Sequence, residues 1–159
     1  MVVPYASLYP ETRAALAADG WDAEYADVSG SVTAYADLLE SVWALGETVI
    51  VVEQDIVPWP GALAILRDCP SPWCGFAYEL GTGYEAWLGC TKFEGRLMLA
   101  HPDAFALIDA MPSDGVHPRL WSRLDTRLTA VLLGRGADPI HVHWPPVGHL
   151  NPDQKTRRA

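Results

Sequence analysis

A β-branched run that ends in two acids constrains the fold of this chain more than any other segment. Residues 48–52 read Thr-Val-Ile-Val-Val, and Glu53, Gln54 and Asp55 follow at once. Strands that are apolar on both faces are typical of parallel sheets with helices on either side. Because side chains alternate along a strand, Glu53 and Asp55 are expected on the same side. The segment therefore predicts a buried parallel strand with two carboxylates at its carboxyl end.

The first half of the chain alternates strand and helix signals around this run. Residues 1–5 and 21–28 predict two further strands, and helices are expected over residues 10–19 and 31–45, each followed by a glycine. Such a β-α-β-α-β order implies right-handed crossovers between the strands. It predicts an α/β protein with a Rossmann-like N-terminal half, arranged as a three-layer α/β/α sandwich.

The second half changes character. Residues 71–80 and 89–99 read as strands on either side of the glycine-rich segment 81–83, which is either a hairpin turn or a mobile lid. They predict a small antiparallel addition to a mostly parallel sheet. The remaining predicted elements are helices over residues 61–68, 101–111 and 118–133, and a short last strand over residues 140–144 that ends before two prolines.

Length and cysteine content limit the organisation of the protein. The 159 residues fit a single domain, expected over residues 1–150, with a flexible tail over residues 151–159. The longest apolar runs fall far below the ~20 residues that a membrane-spanning helix needs, and residues 1–20 do not have the pattern expected of a signal peptide. Cys69, Cys74 and Cys90 are expected as buried thiols in a reducing compartment, which favours a cytoplasmic protein.

The net charge of −9 limits the partners of this chain. A non-specific nucleic-acid binder needs a basic face, so the charge argues against that class. An acidic protein can still bind an anionic small molecule through a metal ion. The chain also lacks a phosphate-binding glycine loop and a serine or cysteine nucleophile motif, which argues against acyl transfer.

Carboxylates and histidines at predicted strand ends indicate a metal site. Asp55 lies where ligands gather in open α/β sheets, and carboxylate oxygens suit Mg²⁺ or Mn²⁺. His141 and His143 are two residues apart on the last predicted strand, so both imidazoles point the same way, and His149 is a third candidate ligand. Two such histidines can both ligate a metal, or one can ligate it while the other orients a phosphate. The alternative for both groups is a solvated strand surface.

Asp125 stands out within the longest predicted helix. Aspartate is a poor residue for a helix interior, and this one lies one turn from Trp121. A carboxylate beside an aromatic face is suited to act as a general base with a raised pKa. The alternative is an exposed aspartate near Arg123 and Arg127.

Taken together, the order of these features resembles the GT-A fold glycosyltransferases. The order is an apolar strand, an acid-x-acid motif, an antiparallel insert, a helix with an acid and a late histidine. Members of that family carry a metal-binding DxD motif at a strand end, a catalytic acid on a helix and a C-terminal metal-ligating histidine. The resemblance covers residues 2–149 and implies a minimal, family-2-like version with glutamate in place of the first acid.

This resemblance implies a metal-dependent, inverting transfer of a sugar from a nucleoside-diphosphate sugar donor to an acceptor hydroxyl. Asp55 with His143, or else with His141, would hold Mn²⁺ or Mg²⁺, and Asp125 would be the catalytic base. Tryptophans offer a sugar an apolar face and an N–H donor. The resemblance assigns the donor nucleotide to Pro4, Tyr5, Asp27, Glu53 and Gln54, and the sugar or acceptor to Trp59, Trp87 and Trp121.

Two other functions stay open on the same residues. One is a nucleotide-binding fold without catalytic activity, and the other is a metal-dependent phosphoesterase that uses Asp55 with His141 and His143. Transfer to an acceptor separates the glycosyltransferase from both. The sequence does not identify the sugar, the nucleotide or the acceptor, and a chain this short leaves room for a homo-oligomer that adds surface.

Overall fold

Eight strands and six helices form a mixed α/β fold over residues 1–80, 83–112 and 115–150, which the computed structural model describes. Strands and helices alternate along most of the chain. In chain order the elements are β1 (Val2–Tyr5), α1 (Pro10–Ala18), β2 (Glu24–Asp27), α2 (Ala34–Leu45), β3 (Val49–Val52), β4 (Ile56–Val57), α3 (Ala62–Asp68), β5 (Trp73–Leu80), β6 (Gly83–Glu85), β7 (Cys90–Phe93), α4 (Gly95–Ala100), α5 (Ala104–Asp109), α6 (Trp121–Gly134) and β8 (His141–His149).

The β-branched run forms an interior strand, which confirms the sequence prediction. β3 lies between β1 and β7, and Val51 and Val52 are fully buried. β3 runs parallel to β1 but antiparallel to β7. Every residue of β7 is also buried, although β7 pairs antiparallel with β3. Burial on both faces therefore indicates an interior strand, but it does not determine whether its neighbours run parallel or antiparallel to it.

The sheet is mixed, whereas the sequence predicts a mostly parallel one. Its order is β2-β1-β3-β7-β5-β8-β4, and β6 pairs with β5. Parallel pairing joins β1 to β2, β1 to β3 and β5 to β8. The other neighbours are antiparallel. The antiparallel share is larger than expected because β7 lies between β3 and β5, and β4 and β6 extend the sheet.

The strands separate two hydrophobic cores, because alternate side chains point to opposite sides. Val2 and Val51 belong to the first core, whereas Val3, Ile50 and Val52 belong to the second. Helices α2, α4, α5 and α6 contribute buried residues to the first core, and α1 and α3 contribute to the second.

Helix α6 is amphipathic. Its buried residues Leu124, Leu128, Val131 and Leu132 follow helical spacing and pack into the first core. Asp125 follows Leu124 at the margin of this stripe and is half-buried. The apolar periodicity of the sequence therefore predicts this helix and places Asp125 at its boundary with solvent.

The predicted strand over residues 89–99 is wrong in its second half. β7 ends at Phe93, and α4 begins at Gly95. The Gly95 N–H donates a hydrogen bond to Thr48 Oγ1 at 3.2 Å, and a Cβ added to Gly95 would lie 2.2 Å from the carbonyl oxygen of Gly46. This close approach of two backbone segments is a tertiary contact that local β propensity does not report.

The last strand is longer than predicted. β8 carries two extra residues relative to β5 between the pairs Phe76–His143 and Tyr78–Val147, which is a bulge. The two prolines at positions 145 and 146 fall in this bulge, where a missing N–H does not break the ladder. Prolines therefore do not end the strand here.

Beyond the bulge, the end of β8 pairs with β4. His149 lies opposite Ile56 in an antiparallel register, and the Leu150 N–H donates to the carbonyl oxygen of Asp55 at 2.7 Å. This pairing brings the end of β8 beside the acids that follow β3.

Three predictions concern the membrane and the loops. None of the helices in the described ranges has the length and apolar character that a membrane crossing requires. Residues 81 and 82 of the glycine-rich segment lie outside the described ranges, and the strands that flank them, β5 and β6, pair antiparallel. The predicted tail over residues 151–159 also lies outside them.

Candidate functional site

Three parallel strands end at one edge of the sheet, where the sequence predicts a nucleotide. Tyr5 at the end of β1 pairs with Asp27 at the end of β2, and Val2 of β1 pairs with Val51 of β3. Ligands in open α/β sheets bind beyond such carboxyl ends. Tyr5 is half-buried and Asp27 is exposed, whereas Pro4 is buried within β1. Pro4 is therefore part of the core, and Tyr5 and Asp27 are the accessible candidates.

Asp27 is held in a local turn. Its Oδ1 accepts a hydrogen bond from the Ser29 N–H at 2.8 Å. Hydrogen bonds from the side chain and backbone of Ser29 hold the pKa of Asp27 below its ordinary value. The carboxylate stays ionised and accessible, so it can accept hydrogen bonds from a ligand.

Gln54 fastens the loop that follows β1. Its side-chain Oε1 accepts hydrogen bonds from the Ala6 N–H at 2.6 Å and the Ser7 N–H at 2.9 Å. Its backbone carbonyl accepts the N–H of Tyr9 at 3.4 Å. The side-chain oxygen of Gln54 thus positions the loop that borders the predicted nucleotide edge.

Asp55 contacts a histidine from the far end of the chain. Its Oδ2 lies 3.2 Å from Nε2 of His149. The side chains of His149 and Asp55 retain only 10% and 19% of their exposure, so the contact is largely removed from solvent. Nδ1 of the same ring lies 2.7 Å from the carbonyl oxygen of Glu79.

This arrangement determines what the His149 ring can do. The Glu79 carbonyl only accepts hydrogen bonds, so Nδ1 carries a proton and donates it. Nε2 then faces Asp55 in one of two forms. When it is protonated, it forms an ion pair with the carboxylate. When it is not, its lone pair and the carboxylate oxygen are two ligand atoms for a cation. In the absence of a cation, the hydrogen bond to Asp55 raises the pKa of His149, and burial opposes this rise.

Glu53 lies among other acids. Burial raises its pKa to about 7, and the negative charges of Asp55 and Asp125 add to the rise. Interactions with the side chains of Tyr35 and Trp121 oppose it. Glu53 therefore exchanges its proton close to neutral pH, and its ionised form is stabilised by any cation that binds nearby.

Tyr35 presents a buried hydroxyl to this group. The residue is only 1% exposed, and its hydroxyl makes no hydrogen bond of standard geometry within the described part of the chain. It is nevertheless close enough to Glu53 to lower the pKa of that carboxyl. A buried polar atom without a partner is costly, so the hydroxyl is available to a ligand that reaches Glu53.

A second buried tyrosine connects the acids to His149. The rings of Tyr78 and His149 are 5.3 Å apart and meet edge to face. Burial raises the pKa of Tyr78 above its usual range, and the charges of Glu53, Asp125 and Asp55 add to this rise. All three carboxylates therefore act on the pKa of one buried hydroxyl.

Asp125 is a half-buried carboxylate of α6. Burial raises its pKa, and the charge of Glu85 adds to this effect. The Thr126 N–H donates to Asp125 Oδ1 at 2.6 Å and partly opposes the rise. Asp125 also lines a small recess together with Trp87 and Thr129.

The three candidate tryptophans lie in different places. The ring of Trp121 is 4.8 Å from that of Tyr35, and its side chain interacts with Glu53. Trp87 lines the recess beside Asp125. Trp59 instead packs against the second core, where its ring meets that of a core phenylalanine. All three tryptophans pack against a core, but only Trp121 and Trp87 also lie beside one of the acids.

His141 and His143 lie in a separate group. His143 lies with the thiols of Cys69 and Cys74, which are buried and unpaired as the sequence predicts. The His141 and His143 rings are 4.7 Å apart. The structure pairs Asp55 with His149 instead, although the sequence favours His143 or His141 for that position.

Sequence reasoning missed Tyr35 and placed His149 only third among the candidate histidines. Tyr35 has the spacing of an apolar core residue, so its buried hydroxyl leaves no signal. His149 follows two prolines that normally end a strand, and only the bulge in β8 carries it to Asp55. The sequence indicates His149 only through its residue type and through its place as the last histidine of the chain.

Comparisons of the chain with protein-family models, with curated proteins and with solved structures find no match.

Proposed function

We propose that this protein is a metal-dependent glycosyltransferase that moves a sugar from a nucleoside-diphosphate donor to an acceptor hydroxyl with inversion. The contact between Asp55 and His149 at the end of β3 carries the proposal. The edge formed by Tyr5, Asp27 and the loop fastened by Gln54 adjoins it and suits the nucleotide. Helices that contribute to the cores on both sides of the sheet support the three-layer, Rossmann-like arrangement that belongs to this proposal.

The donor atoms fit Mn²⁺ or Mg²⁺. A carboxylate oxygen suits either ion, and a neutral imidazole nitrogen is a common metal ligand. A metal-ligating histidine commonly donates its other ring N–H to a carbonyl, as Nδ1 of His149 does to Glu79. Glu53 adds negative charge beside the pair. A bound ion would offset the charge that develops on a departing diphosphate.

Asp125 is the residue that we assign as the general base. The acceptor oxygen forms a bond to the anomeric carbon while the bond from that carbon to the diphosphate oxygen breaks, and the electron pair leaves with the diphosphate. The proton of the acceptor hydroxyl moves to the Asp125 carboxylate. Its raised pKa supports this role. A single displacement of this kind inverts the anomeric centre.

Trp121 and Trp87 supply the apolar surface that a sugar ring requires. Both adjoin the acids, and tryptophan combines a flat apolar face with one N–H donor. The Tyr35 hydroxyl, which is buried beside Glu53, adds a hydrogen-bonding group.

Calorimetry with Mn²⁺ and either UDP or GDP tests the proposal. We expect binding that depends on Mn²⁺ and is removed by EDTA. His149→Gln should weaken it more than about 10-fold, because the variant loses an imidazole ligand. The matched variant His143→Gln should retain it. Equal losses in both variants, with both folded by circular dichroism, would contradict the assignment of His149.

Turnover then separates the three functions. A glycosyltransferase consumes a nucleoside-diphosphate sugar faster when an acceptor hydroxyl is present. A binding module shows Mn²⁺-dependent affinity without turnover, and a phosphoesterase cleaves simple phosphate esters that carry no sugar. Failure of every nucleoside diphosphate to bind in the presence of Mn²⁺ would refute the proposal as a whole.

A further inference from the structure

Two thiols and an imidazole meet on the second-core side of the sheet. The Sγ atoms of Cys69 and Cys74 and a ring nitrogen of His143 all lie within 4.8 Å of one another. We call these three residues the thiol–imidazole cluster. Both cysteines are buried, and His143 is half-buried. They come from three separate parts of the fold, namely the end of α3, strand β5 and strand β8.

Strand pairing builds the cluster. β5 and β8 run parallel, with Cys74 opposite His141 and Phe76 opposite His143. Residues two apart on a strand share a face, so His141 and His143 lie on the face that carries Cys74. Cys69 caps the end of α3, and its carbonyl oxygen accepts a hydrogen bond from the buried ammonium of Lys92. Each member is thus fixed by backbone structure.

A second observation indicates a missing ligand. Nε2 of His143 is buried and has no hydrogen-bond partner anywhere in the described ranges. The thiol of Cys74 makes a long contact of 3.8 Å to the Leu66 carbonyl and interacts with the Cys69 thiol. Buried polar atoms normally find partners, and those that do not require an explanation such as an ion.

We propose that Cys69, Cys74 and His143 bind a thiophilic divalent cation of the zinc type, separate from the Asp55–His149 pair. Thiolate and imidazole ligands select such ions over Mg²⁺ or Mn²⁺. Zinc sites are commonly tetrahedral, and two sulfurs with two histidine nitrogens form one standard set. A water molecule completes the set, or else His141, whose ring centre lies 4.7 Å from that of His143. His141 is exposed, so the ion has access from solvent.

Binding releases the two thiol protons, and the two thiolates then balance the charge of the ion. The site ties α3, β5 and β8 together, so we assign it a structural role. It does not depend on the proposed transferase activity, since none of its ligands is part of the Asp55 site.

The test uses the full chain, purified under reducing conditions, with Zn²⁺ and with Co²⁺ as a spectroscopic probe. We expect one tightly held Zn²⁺ per chain by native mass spectrometry, a higher melting temperature with Zn²⁺, and thiolate-to-cobalt charge-transfer absorption with Co²⁺. Cys69→Ser and His143→Gln should each weaken Zn²⁺ binding more than about 10-fold. Cys90→Ser, which changes the buried thiol outside the cluster, should not.

The variant Asp55→Ala distinguishes this site from the metal site proposed for the transferase. It should remove Mn²⁺-dependent nucleotide binding and leave Zn²⁺ binding unchanged. Folded wild-type protein that retains no Zn²⁺ and gives no cobalt–thiolate absorption would overturn the inference. An equal loss in Cys90→Ser and Cys69→Ser, or a Cys69–Cys74 disulfide that persists under reducing conditions, would also overturn it.

Discussion

Asp55 and His149 are separated by 94 residues, yet Oδ2 of the first lies 3.2 Å from Nε2 of the second. The pair is largely shielded from solvent, and the backbone carbonyl of Glu79 holds the opposite side of the imidazole. This relationship combines a strand-end acid with an oriented histidine. It is therefore the point from which the behaviour of the site can be tested.

We expect the metal-free protein to show a pKa of His149 above its ordinary value of 6.5. The hydrogen bond to Asp55 is the main cause, so Asp55→Asn should lower this pKa. Because the pKa is raised on folding, the ion pair contributes its full stability below about pH 6.5 and loses it as the pH rises through the folded-state pKa. An NMR titration of the ring measures this shift, and a pKa unchanged in Asp55→Asn would exclude the ion pair.

Glu53 should make the metal-free protein less stable as the pH rises. Its pKa is raised from 4.5 to about 7, so folding favours the protonated carboxyl. The stability that the protonated form contributes is lost as the pH rises from 4.5 to about 7. Glu53→Gln should remove this part of the pH dependence and stabilise the protein at pH 8 by about 1–3 kcal/mol. Urea denaturation at pH 4.5 and pH 8 measures it. Exposed Glu24, changed to Gln, is the matched control and should follow the wild type.

Asp125→Asn should retain Mn²⁺-dependent donor binding and lose transfer. The substitution preserves size and removes the proton acceptor, and general base catalysis typically contributes about 10²- to 10⁴-fold. Asp22→Asn, at an exposed loop position, is the control for loss of one negative charge. If Asp125→Asn weakens donor binding as strongly as turnover, Asp125 contacts the donor rather than the acceptor.

Gln54→Ala should loosen the loop after β1. The variant removes the acceptor for the N–H groups of Ala6 and Ser7, so hydrogen exchange of these two amides should accelerate about 10-fold. Gln54→Glu keeps an oxygen at the same position and should retain most of the protection. Equal exchange rates in the wild type and Gln54→Ala would show that the two hydrogen bonds do not hold the loop.

Gly95→Ala should destabilise the protein by about 3 kcal/mol or more, because the new Cβ would lie 2.2 Å from the Gly46 carbonyl oxygen. Gly134→Ala is the opposite case. It lies in α6 with no atom within 4 Å of an added Cβ, so the change should stabilise the protein by about 0.5–1 kcal/mol. Thermal unfolding of both variants measures the contrast. A fully stable Gly95→Ala would mean that α4 and the Gly46 turn can move apart.

The sequence by itself determined the local elements and the chemistry of the strand end. The β-branched run predicts β3, the apolar spacing predicts α6, and the acids that follow Val52 lie at the sheet edge because no residue intervenes. Asp125 follows the same logic, since its position beside Leu124 sets it at the margin of the buried stripe. These features depend on periodicities of a few residues, which a single sequence displays directly.

Only the tertiary structure decided which histidine meets which group. A strand shifted by one residue presents its side chains to the opposite face, and a bulge changes the register without any change in composition. The two extra residues of β8 leave His143 beside Cys74 and carry His149 to Asp55. Likewise, Gly95 begins a helix because its backbone packs against Gly46. Such contacts join segments far apart in the chain, so their free energy depends on the whole fold rather than on neighbouring residues.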